Sequence, residues 1–384
     1  MDAGMTRRML EAVLGVSVSS GNRIDVLKNG DEIFPAMLEA IDDAERCVDF
    51  LTFIYWNGEV GERFAEHLSA RARAGVRVRV VLDAAGAWEL DTSLVESMQE
   101  AGCDVRWFRP IKARGALQAN NRTHRKLLIV DETVGFTGGV GIADEWRGDA
   151  RGEGEWRDTH FRVQGPAVSG LRGAFFDNWA ETGTDLVEKG VDTFPEMPAA
   201  GGLDVQVVKG VAEAGNSDVW NLFRVLIDCA DDCIRICTAY FTPDEEITRR
   251  LKEAAERGVQ VQVLVPGPHA DKRFVQVASE AGFEELLEAG VKICTFLPSM
   301  LHAKVMTIDG SLAVVGSANF NRRSTQYDDE VVMVIFDEGM ASLLDGHMDD
   351  DLSRSEPIDL ADWEERGLFQ RVQEKAVSVI DGLL

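Results

Sequence analysis

Two short segments of the chain place a histidine and a lysine two residues apart, with the same spacing to the residues that follow. They read "THRKLLIVDETVGFTGG" at 123–139 and "LHAKVMTIDGSLAVVGSAN" at 301–319. Because side chains two apart on a strand share a face, each segment presents an imidazole and an ammonium to one space. The matching positions are His124 and His302, Lys126 and Lys304, Asp131 and Asp309, and Gly138 and Gly316, and the paired histidines, lysines and aspartates are the predicted catalytic residues.

This set of groups suits the cleavage of a phosphodiester. Such a reaction needs a nucleophile, a proton donor for the departing oxygen, and positive charge on the non-bridging oxygens. Two histidines related by a pseudo-twofold axis supply the nucleophile and the proton donor: one is neutral and attacks, and the other is protonated and donates. Both lysines bind the non-bridging oxygens of the phosphate. The small residues after each strand are expected to leave backbone amides open to an anion; they are Gly138, Gly139, Gly316 and Ser317.

A histidine that reacts through one ring nitrogen needs an acceptor on the other to fix its tautomer. Asp158 in "EWRDTH" and Glu330 in "YDDEVVM" follow the two segments at comparable distances, each ahead of a strand-like run. Both are therefore predicted to orient a histidine. The alternative for each is an ordinary surface acid.

The paired segments lie inside a larger internal duplication. "RAGVRVRVVLD" at 73–83 returns as "ERGVQVQVLVP" at 256–266, and "QEAGCDVRWFRP" at 99–110 returns as "LEAGVKICTFLP" at 287–298. Each copy alternates helices and strands before its histidine segment, which predicts an α/β fold with a sheet covered on both faces. After the second histidine, "IDGSL" predicts a tight hairpin.

The repeat predicts two similar α/β/α sandwich lobes with the active site at their pseudo-twofold interface. The predicted division of the chain is an N-terminal amphipathic segment at 1–20, a first lobe at 21–187, a linker at 188–204, a second lobe at 205–348, and a helical tail at 349–384. The terminal segments are predicted to pack on the protein's own body or to lie on a membrane surface. In the N-terminal one, Met9, Leu10, Val13 and Leu14 are expected on one face.

The bulk composition restricts the partners. With 66 acidic and 40 basic residues, the formal charge of -26 repels nucleic acid at long range, so no nucleic-acid partner is expected. No apolar run is long enough to span a bilayer, which predicts a cytoplasmic protein. The six cysteines lie in apolar segments without metal-type spacing and are predicted to be buried, reduced thiols.

The two histidine segments resemble the paired HKD motifs of the phospholipase D superfamily, and "GSANFNRRS" resembles the stretch that follows the second motif. Four further stretches, "GNRIDVLKNGDEIFPAMLEAI", "TGGVGIADEW", "EWRDTHFRVQGPAV" and "DNWAETG", are similar to bacterial cardiolipin synthases. The resemblance covers about residues 21 to 337. It implies the phospholipase D fold and a phosphatidyl transferase that exchanges the headgroups of phospholipids such as phosphatidylglycerol. The family reaction needs no metal or other cofactor.

The resemblance also implies roles for individual residues. His124 is expected to be the nucleophile that forms a phosphohistidine, and His302 the general acid and base. Lys126, Lys304 and Asn319 are expected to contact the phosphate. Many relatives carry an asparagine where this chain has Gly141, so the phosphate contacts are expected to differ between the lobes.

A basic window precedes the first motif. Between Asp104 and Asp131 no acidic residue occurs, yet several arginines and lysines do, and Arg109, Lys112 and Arg114 are predicted to capture anionic headgroups at a membrane surface. The location expected for the enzyme is therefore peripheral, at the inner face of the cell membrane. The plain alternative is a solvated basic loop.

Other functions use the same groups. Hydrolytic phospholipase D differs only in whether water or an alcohol reaches the intermediate, and the sequence does not separate the two. A metal-independent endonuclease is disfavoured by the acidic balance, and a catalytically dead lipid-binding scaffold by the intact histidines and lysines. The oligomeric state is not predicted.

Overall fold

The structure is a computed structural model that describes residues 3–110, 121–183, 194–211, 217–271 and 282–361. The predicted positions Lys112 and Arg114, the first six residues of the linker (188–193) and the end of the C-terminal tail lie outside these ranges. The described chain is α/β throughout, and no described helix has both the length and the apolar character needed to cross a membrane.

The first lobe is built from strands and helices in alternation. Its strands are β1 (Ser19–Lys28), β2 (Cys47–Thr52), β3 (Arg77–Asp83), β4 (Asp104–Phe108), β5 (Arg122–Thr123), β6 (Leu127–Val130), β7 (Val134–Gly138) and β8 (Thr159–Gln164). Its helices are α2 (Asn29–Asp42), α3 (Glu59–Arg73), α4 (Thr92–Glu100) and α5 (Ala167–Glu181), preceded by α1 (Ala3–Leu14), and one 3-10 turn spans Asp144–Trp146.

The second lobe repeats this order. Its strands are β9 (Leu203–Gly210), β10 (Cys233–Thr238), β11 (Phe241–Thr242), β12 (Gln260–Pro266), β13 (Lys292–Phe296), β14 (Lys304–Ile308), β15 (Leu312–Gly316), β16 (Phe320–Asn321), β17 (Asp328–Phe336) and β18 (Ser355–Pro357). Its helices are α6 (Asp218–Cys229), α7 (Glu245–Glu256), α8 (Phe283–Glu288), α9 (Arg322–Gln326) and α10 (Glu338–Leu352).

The sheet order confirms the predicted duplication. The first lobe runs β1-β8-β7-β6-β2-β3-β4, and the second runs β9-β17-β15-β14-β10-β12-β13 with β18 at its edge. β1 and β9 lie side by side and antiparallel, so the two lobes share one continuous mixed sheet. The prediction of two sandwiches thus holds for the order of the strands, while their sheets merge at the centre.

Three groups of buried side chains cover the two faces of this sheet. On one face, α2, α3 and α4 cover the first lobe and α6, α7 and α8 cover the second. On the other face, α5 and α10 cover strands from both lobes, and Leu51 and Met333 belong to that one shared core. The lobes are therefore joined by packing as well as by the sheet.

Local sequence signals explain several element ends. Gly75 and Gly258 follow α3 and α7 with positive φ of 91° and 97°, the conformation that favours glycine at the end of a helix. The predicted hairpin is confirmed, since Ile308 pairs with Leu312 across a loop in which Asp309 and Gly310 have φ of 50° and 59°. A left-handed backbone conformation at an Asp-Gly pair is typical of such a turn.

The leading strands β1 and β9 were not predicted. The sequence of β1, "SSGNRIDVLK", mixes glycine and polar residues, and its central position becomes visible only when β8 and β9 flank it. The predicted lobe boundary at 348 falls inside α10, and β18, within the predicted helical tail, is a strand on the edge of the sheet.

The N-terminal segment forms the predicted helix, but its apolar residues divide between two faces. Leu10 and Leu14 are buried against α6 of the second lobe, whereas Met9 and Val13 are 37% and 49% exposed. α1 therefore packs on the body of the protein.

Candidate active site

The two histidines are held at the boundary between the lobes by backbone hydrogen bonds. His124 lies just before β6, and its amide donates to the Asp329 carbonyl of the second lobe at 2.8 Å. His302 lies just before β14, and its amide donates to the Arg157 carbonyl of the first lobe at 2.7 Å. Both side chains are buried, and each motif is thus anchored to the opposite lobe.

The carboxylates that orient the rings are also exchanged between lobes. His124 Nδ1 lies 2.9 Å from Glu330 Oε1, and His302 Nδ1 lies 2.8 Å from Asp158 Oδ2. Sequence analysis proposed both acids as orienting groups without saying which histidine each serves. The crossing arises because β8 and β17 begin beside the other lobe's histidine segment, as the bridges Arg157 to Leu301 and Asp329 to Thr123 indicate.

Each carboxylate has its own set of donors. Glu330 accepts from the hydroxyls of Ser317 at 2.5 Å and Ser324 at 2.6 Å. Asp158 accepts from the indole Nε1 of Trp146 at 2.8 Å and from the Thr159 amide at 2.8 Å. Because carboxylates held by several donors keep a fixed geometry, each acid fixes its histidine. Ser324 and Trp146 were not predicted, although both lie in stretches that carry the family resemblance.

The two lysines lie beside the histidines, as the two-residue spacing predicts. Lys126 Nζ donates to the His124 carbonyl at 2.7 Å, and Lys304 Nζ donates to the His302 carbonyl at 2.5 Å. Lys304 Nζ also lies 3.0 Å and 3.2 Å from the two ring nitrogens of His302. Both ammonium groups are buried, so a phosphate that enters the site meets positive charge with little competing water.

Burial and charge shift the titration of the first motif. Burial lowers the pKa of His124 to about 4, opposed by Glu330, so its ring is neutral near pH 7. Burial by itself would raise the pKa of Glu330, but His124, Lys126 and the Ser317 hydroxyl lower it to about 2. A neutral imidazole held by an ionised carboxylate is the state that a nucleophile requires.

The pKa values of both lysines are lowered to near neutral pH. Burial lowers the pKa of Lys126 to about 7, with Glu330 opposing and Lys304 adding to the shift. Burial lowers the pKa of Lys304 to about 8, with Asp158, Glu330 and Asp271 opposing. An arriving phosphate dianion or monoanion would favour the charged form of both lysines.

The glycines after each motif have a different task from the one predicted. The amides of Gly139 and Ser317 already donate to the carbonyls of Thr159 and Val331 at 3.3 Å and 3.0 Å, so they are not open to an anion. A β-carbon on Gly139 would lie 2.2 Å from Asp158 Oδ1. The small residues are needed because the orienting carboxylates lie directly against them.

Gly138 and Gly316 end β7 and β15 with φ of 155° and 152°, which lies in the region that favours glycine. A β-carbon would lie 2.6 Å from the Thr159 carbonyl oxygen at Gly138 and 2.3 Å from the Val331 carbonyl oxygen at Gly316. Both glycines therefore permit close packing against the starts of β8 and β17, where the orienting acids Asp158 and Glu330 lie.

The aspartates of the two motifs lie at the far ends of their strands. Asp131 and Asp309 follow β6 and β14, roughly 16 Å of extended chain beyond the lysines. Asp131 accepts from the amides of Glu45, Arg46 and Cys47, and Asp309 accepts in the same way from those of Asp231, Asp232 and Cys233. The structure does not bring these predicted catalytic residues to the histidines; they fix the turn before β2 and β10.

Asn319 and Gly141 occupy matching positions with different surroundings. Asn319 is buried, and its side-chain Oδ1 has no partner among the described residues. A β-carbon on Gly141 would lie 2.8 Å from Ile54 Cβ and 3.1 Å from the Trp146 ring. The first lobe therefore has no room for an asparagine, because Trp146 fills that space while it binds Asp158.

The basic window is described only at its ends. Arg109 forms an ion pair with Glu181 on α5, with nitrogen to oxygen distances of 2.9 Å and 3.0 Å, and lies over the Phe108 ring. Its charge is therefore neutralised within the fold, which counts against the predicted capture of headgroups by this residue. Lys112 and Arg114 lie outside the described residues.

Arg125, between the two motif residues of the first lobe, was not singled out from the sequence. It is fully buried and donates to the carbonyls of Glu330, Gly210 and Ala174 at 3.0, 2.9 and 2.6 Å. Its matching residue is Ala303, so the repeat gave no signal for it. The guanidinium joins α5 of the first lobe to β9 and β17 of the second.

Thiols and metal ligands play no visible part in this arrangement. None of the six cysteines forms a disulfide; four are buried as predicted, whereas Cys233 and Cys294 are half-buried. In the ranges that the structure describes, no group of three histidine, cysteine, aspartate or glutamate side chains is placed to hold a metal ion.

Comparisons with known proteins agree with this geometry. Residues 37–145 and 223–352 match the family described as "Cardiolipin synthase, PLD-like domain". A cardiolipin synthase of Geobacillus sp. (strain WCH70) is 34% identical over 370 residues, 96% of this chain and 73% of that protein. A probable cardiolipin synthase of Bacillus subtilis (strain 168) is 33% identical over 370 residues, 96% of this chain and 74% of its own.

Solved structures share the fold. The phosphatidylserine synthase of Haemophilus influenzae Rd KW20 superposes with a TM-score of 0.73 at 14% identity, over 98% of this chain and 97% of that one. The polyphosphate kinase of Porphyromonas gingivalis superposes with a TM-score of 0.56 at 11% identity, over 86% of this chain and 50% of its own.

Proposed function

We propose that this chain, which belongs to the cardiolipin synthase family with a phospholipase D-like domain, transfers phosphatidyl groups through a phosphohistidine on His124. The chain is a phosphatidyltransferase, since curated cardiolipin synthases share about a third of its residues over nearly its whole length. One observation carries the proposed mechanism: each buried histidine has its Nδ1 held by a buried carboxylate, which leaves Nε2 for the reaction.

In the first half of the reaction, the neutral Nε2 of His124 attacks the phosphorus of a phospholipid. The bond to the headgroup oxygen breaks on the opposite side, and His302 gives that oxygen its proton. Glu330 stabilises the positive charge that develops on the His124 ring. The products of this half are a free headgroup alcohol and a phosphatidyl group bonded to His124.

In the second half, an acceptor alcohol takes the place of the departed headgroup. Neutral His302 removes its proton, the alcohol oxygen bonds to phosphorus, and the bond to His124 breaks. Lys126, Lys304 and the side chain of Asn319 hold the non-bridging oxygens in both halves. Lys304 must turn from the His302 ring toward the phosphate, which frees that ring to carry a proton.

The substrate that fits this proposal is phosphatidylglycerol or a similar lipid, taken from a membrane surface. Trp88 supports peripheral contact with a bilayer, since its side chain is 72% exposed in the loop after β3. That loop adjoins the site, because Gly86 packs against Phe53, whose ring lies 5.3 Å from that of His124. Tryptophan is favoured at the boundary between lipid and water, so Trp88→Ala is expected to weaken co-sedimentation with phosphatidylglycerol vesicles.

The test of the proposed function is incubation of the purified protein with phosphatidylglycerol vesicles, followed by mass spectrometry of the lipids. Cardiolipin and glycerol are expected, with EDTA having no effect because both proton transfers and the nucleophile come from histidines. His124→Ala is expected to abolish turnover. His67→Ala, which removes a partly exposed histidine paired with Asp42 on the surface, is the matched control.

Two results would contradict the proposal. Phosphatidic acid as the sole product would identify a hydrolase. A covalent phosphatidyl adduct that survives in His124→Ala, detected by intact-protein mass spectrometry after acid quenching, would place the nucleophile elsewhere.

A further inference from the structure

The wall of the site beside His302 carries a polar pair that the wall beside His124 lacks. The Tyr240 ring meets the His302 ring edge-on, with centroids 6.3 Å apart, and Tyr240 Oη donates to Asp271 Oδ2 at 2.7 Å. In the first lobe the position of Tyr240 belongs to Ile54. The match is fixed by Thr52 and Thr238, whose hydroxyls donate to the carbonyls of Ile54 and Tyr240 respectively.

A carboxylate at this place is unfavourable for the binding of a phosphate. Asp271 is exposed, and it lies close enough to Lys304 to oppose the burial that lowers the pKa of that lysine. It therefore repels the same anion that Lys304 attracts. A carboxylate is, however, a strong acceptor for neutral hydroxyl groups, and hydrogen bonds to a charged acceptor are roughly twice as strong as neutral ones.

The proposed reaction brings hydroxyl groups to this wall twice. His302 protonates the alcohol that leaves and deprotonates the alcohol that enters, so both alcohols bind on the His302 side of the phosphorus. The phosphorus faces His124 in both halves, and the phosphatidyl group is bonded to that ring between them. Any side chain that selects the alcohol must therefore lie near His302, where Tyr240 and Asp271 lie.

The following inference rests on the proposed function. We propose that Asp271, held in place by Tyr240, binds a hydroxyl of the departing or entering alcohol other than the one that reacts. The pair selects glycerol-type headgroups, which carry a free hydroxyl beside the reacting one, over monohydric alcohols. The reacting hydroxyl gives its proton to His302 and bonds to phosphorus as the His124 bond breaks. The second hydroxyl donates to Asp271 and keeps its proton.

The test is a competition between two acceptors. Phosphatidylglycerol vesicles are incubated with equal concentrations of deuterated glycerol and propan-1-ol, and the deuterated phosphatidylglycerol and the phosphatidylpropanol are counted by mass spectrometry. The wild-type protein is expected to favour glycerol. Asp271→Ala is expected to lower the ratio of the two products about tenfold or more while the propanol product is retained, because only glycerol loses a charged acceptor. Tyr240→Phe, which frees the carboxylate, is expected to lower the ratio less.

The matched control is Glu153→Gln. Glu153 is an exposed carboxylate that pairs at 3.4 Å with His269, two residues before Asp271, so the substitution removes the same charge beside the same loop. It is expected to leave the product ratio unchanged. Thermal unfolding of each variant checks that the loop substitution leaves the fold intact.

The remaining outcomes overturn the inference in distinguishable ways. Equal loss of both products in Asp271→Ala would mean that the residue acts on Lys304 or on the loop and does not bind the acceptor. An unchanged ratio would mean that it plays no part in selection. Absence of both products with the wild-type protein would reject the proposed transfer itself.

Discussion

At the scale of single residues, the two histidines differ in what surrounds them. Glu330 is held by two serine hydroxyls, whereas Asp158 is held by an indole and a backbone amide. Among the described residues, the His124 ring contacts the ring of Phe53, while the His302 ring lies against Trp146, Trp156 and Tyr240. The difference fits the division of roles into a nucleophile and an acid or base, which a symmetrical pair would not provide.

The pH dependence of kcat/KM follows from the shifted groups of the first motif. His124 has a folded pKa of about 4, below its ordinary value of 6.5, so it is neutral and able to attack at any pH above that. Lys126 has a pKa of about 7 and loses its charge above it. The profile is therefore expected to rise near pH 4 and to fall above about pH 7, with its maximum between these values.

The measurement is the initial rate on phosphatidylglycerol in detergent micelles between pH 3.5 and 9, using about ten buffers matched in ionic strength. Circular dichroism at each pH separates titration of the site from unfolding. A rising limb centred near the ordinary histidine pKa would show that His124 is not desolvated in solution.

At the scale of elements, strand ends do the positioning. Asp158 directly precedes β8 and Glu330 is the third residue of β17, and these strands lie beside β7 and β15, whose terminal glycines allow the close approach. The hairpin at Asp309 and the helix-closing glycines were predictable because these signals are local. The exchange of Asp158 and Glu330 was not, because it depends on how the residues at the starts of β8 and β17 pair with the histidine segment of the other lobe.

The two histidines and the two lysines were predictable because the repeat aligns them, and both acids because each follows a motif at a comparable distance. The repeat misdirected the interpretation of Asp131 and Asp309, whose equal spacing reflects a shared turn. Spacing alone cannot separate a residue that repeats for catalysis from one that repeats for folding. Trp146 escaped notice because its counterpart, Ser324, is chemically unlike it.

Gly139→Ala tests the contact between the strand end and the acid. The new methyl group would lie 2.2 Å from Asp158 Oδ1, so the carboxylate must move and His302 loses its hydrogen bond. Activity is expected to fall at least about tenfold, with a loss of about 1–3 kcal/mol in the free energy of unfolding. Steady-state kinetics and urea denaturation measure the two effects.

Gly152→Ala serves as the control for that substitution. Its added β-carbon would have no atom within 4 Å, so neither activity nor stability is expected to change beyond the cost of the substitution itself. If Gly139→Ala behaved in the same way, the proposed steric contact would be absent in solution.

At the scale of the whole molecule, the lobes form one folding unit. β1 pairs with β9, α5 and α10 cover a core that both lobes share, and Arg125 reaches from one lobe into the other. The duplication was readable from the sequence, since every repeated stretch predicts the same element twice. The merging of the sheets was not, because the strands that join them, β1 and β9, pair with each other across a long distance in the chain, and β1 is rich in polar residues.

Arg125→Met tests this coupling. The substitution keeps a long side chain but leaves the carbonyls of Glu330, Gly210 and Ala174 without their donor, in a place closed to water. We expect a loss of about 3 kcal/mol or more in the free energy of unfolding, measured by urea denaturation. Arg151→Met removes an arginine whose side chain is 78% exposed and is expected to change stability little. Equal effects of the two substitutions would show that the bridge contributes nothing.

The exchange of orienting acids between the two lobes has a consequence for how the duplicated repeats evolve. A substitution of Glu330 is felt by His124, and one of Asp158 by His302, so neither repeat can change its acid without altering the chemistry of the other. Once a duplicated gene has swapped partners in this way, it cannot shed either copy and remain an enzyme. Divergence between the copies then has to proceed in compensating steps, as the unlike surroundings of Gly141 and Asn319 illustrate.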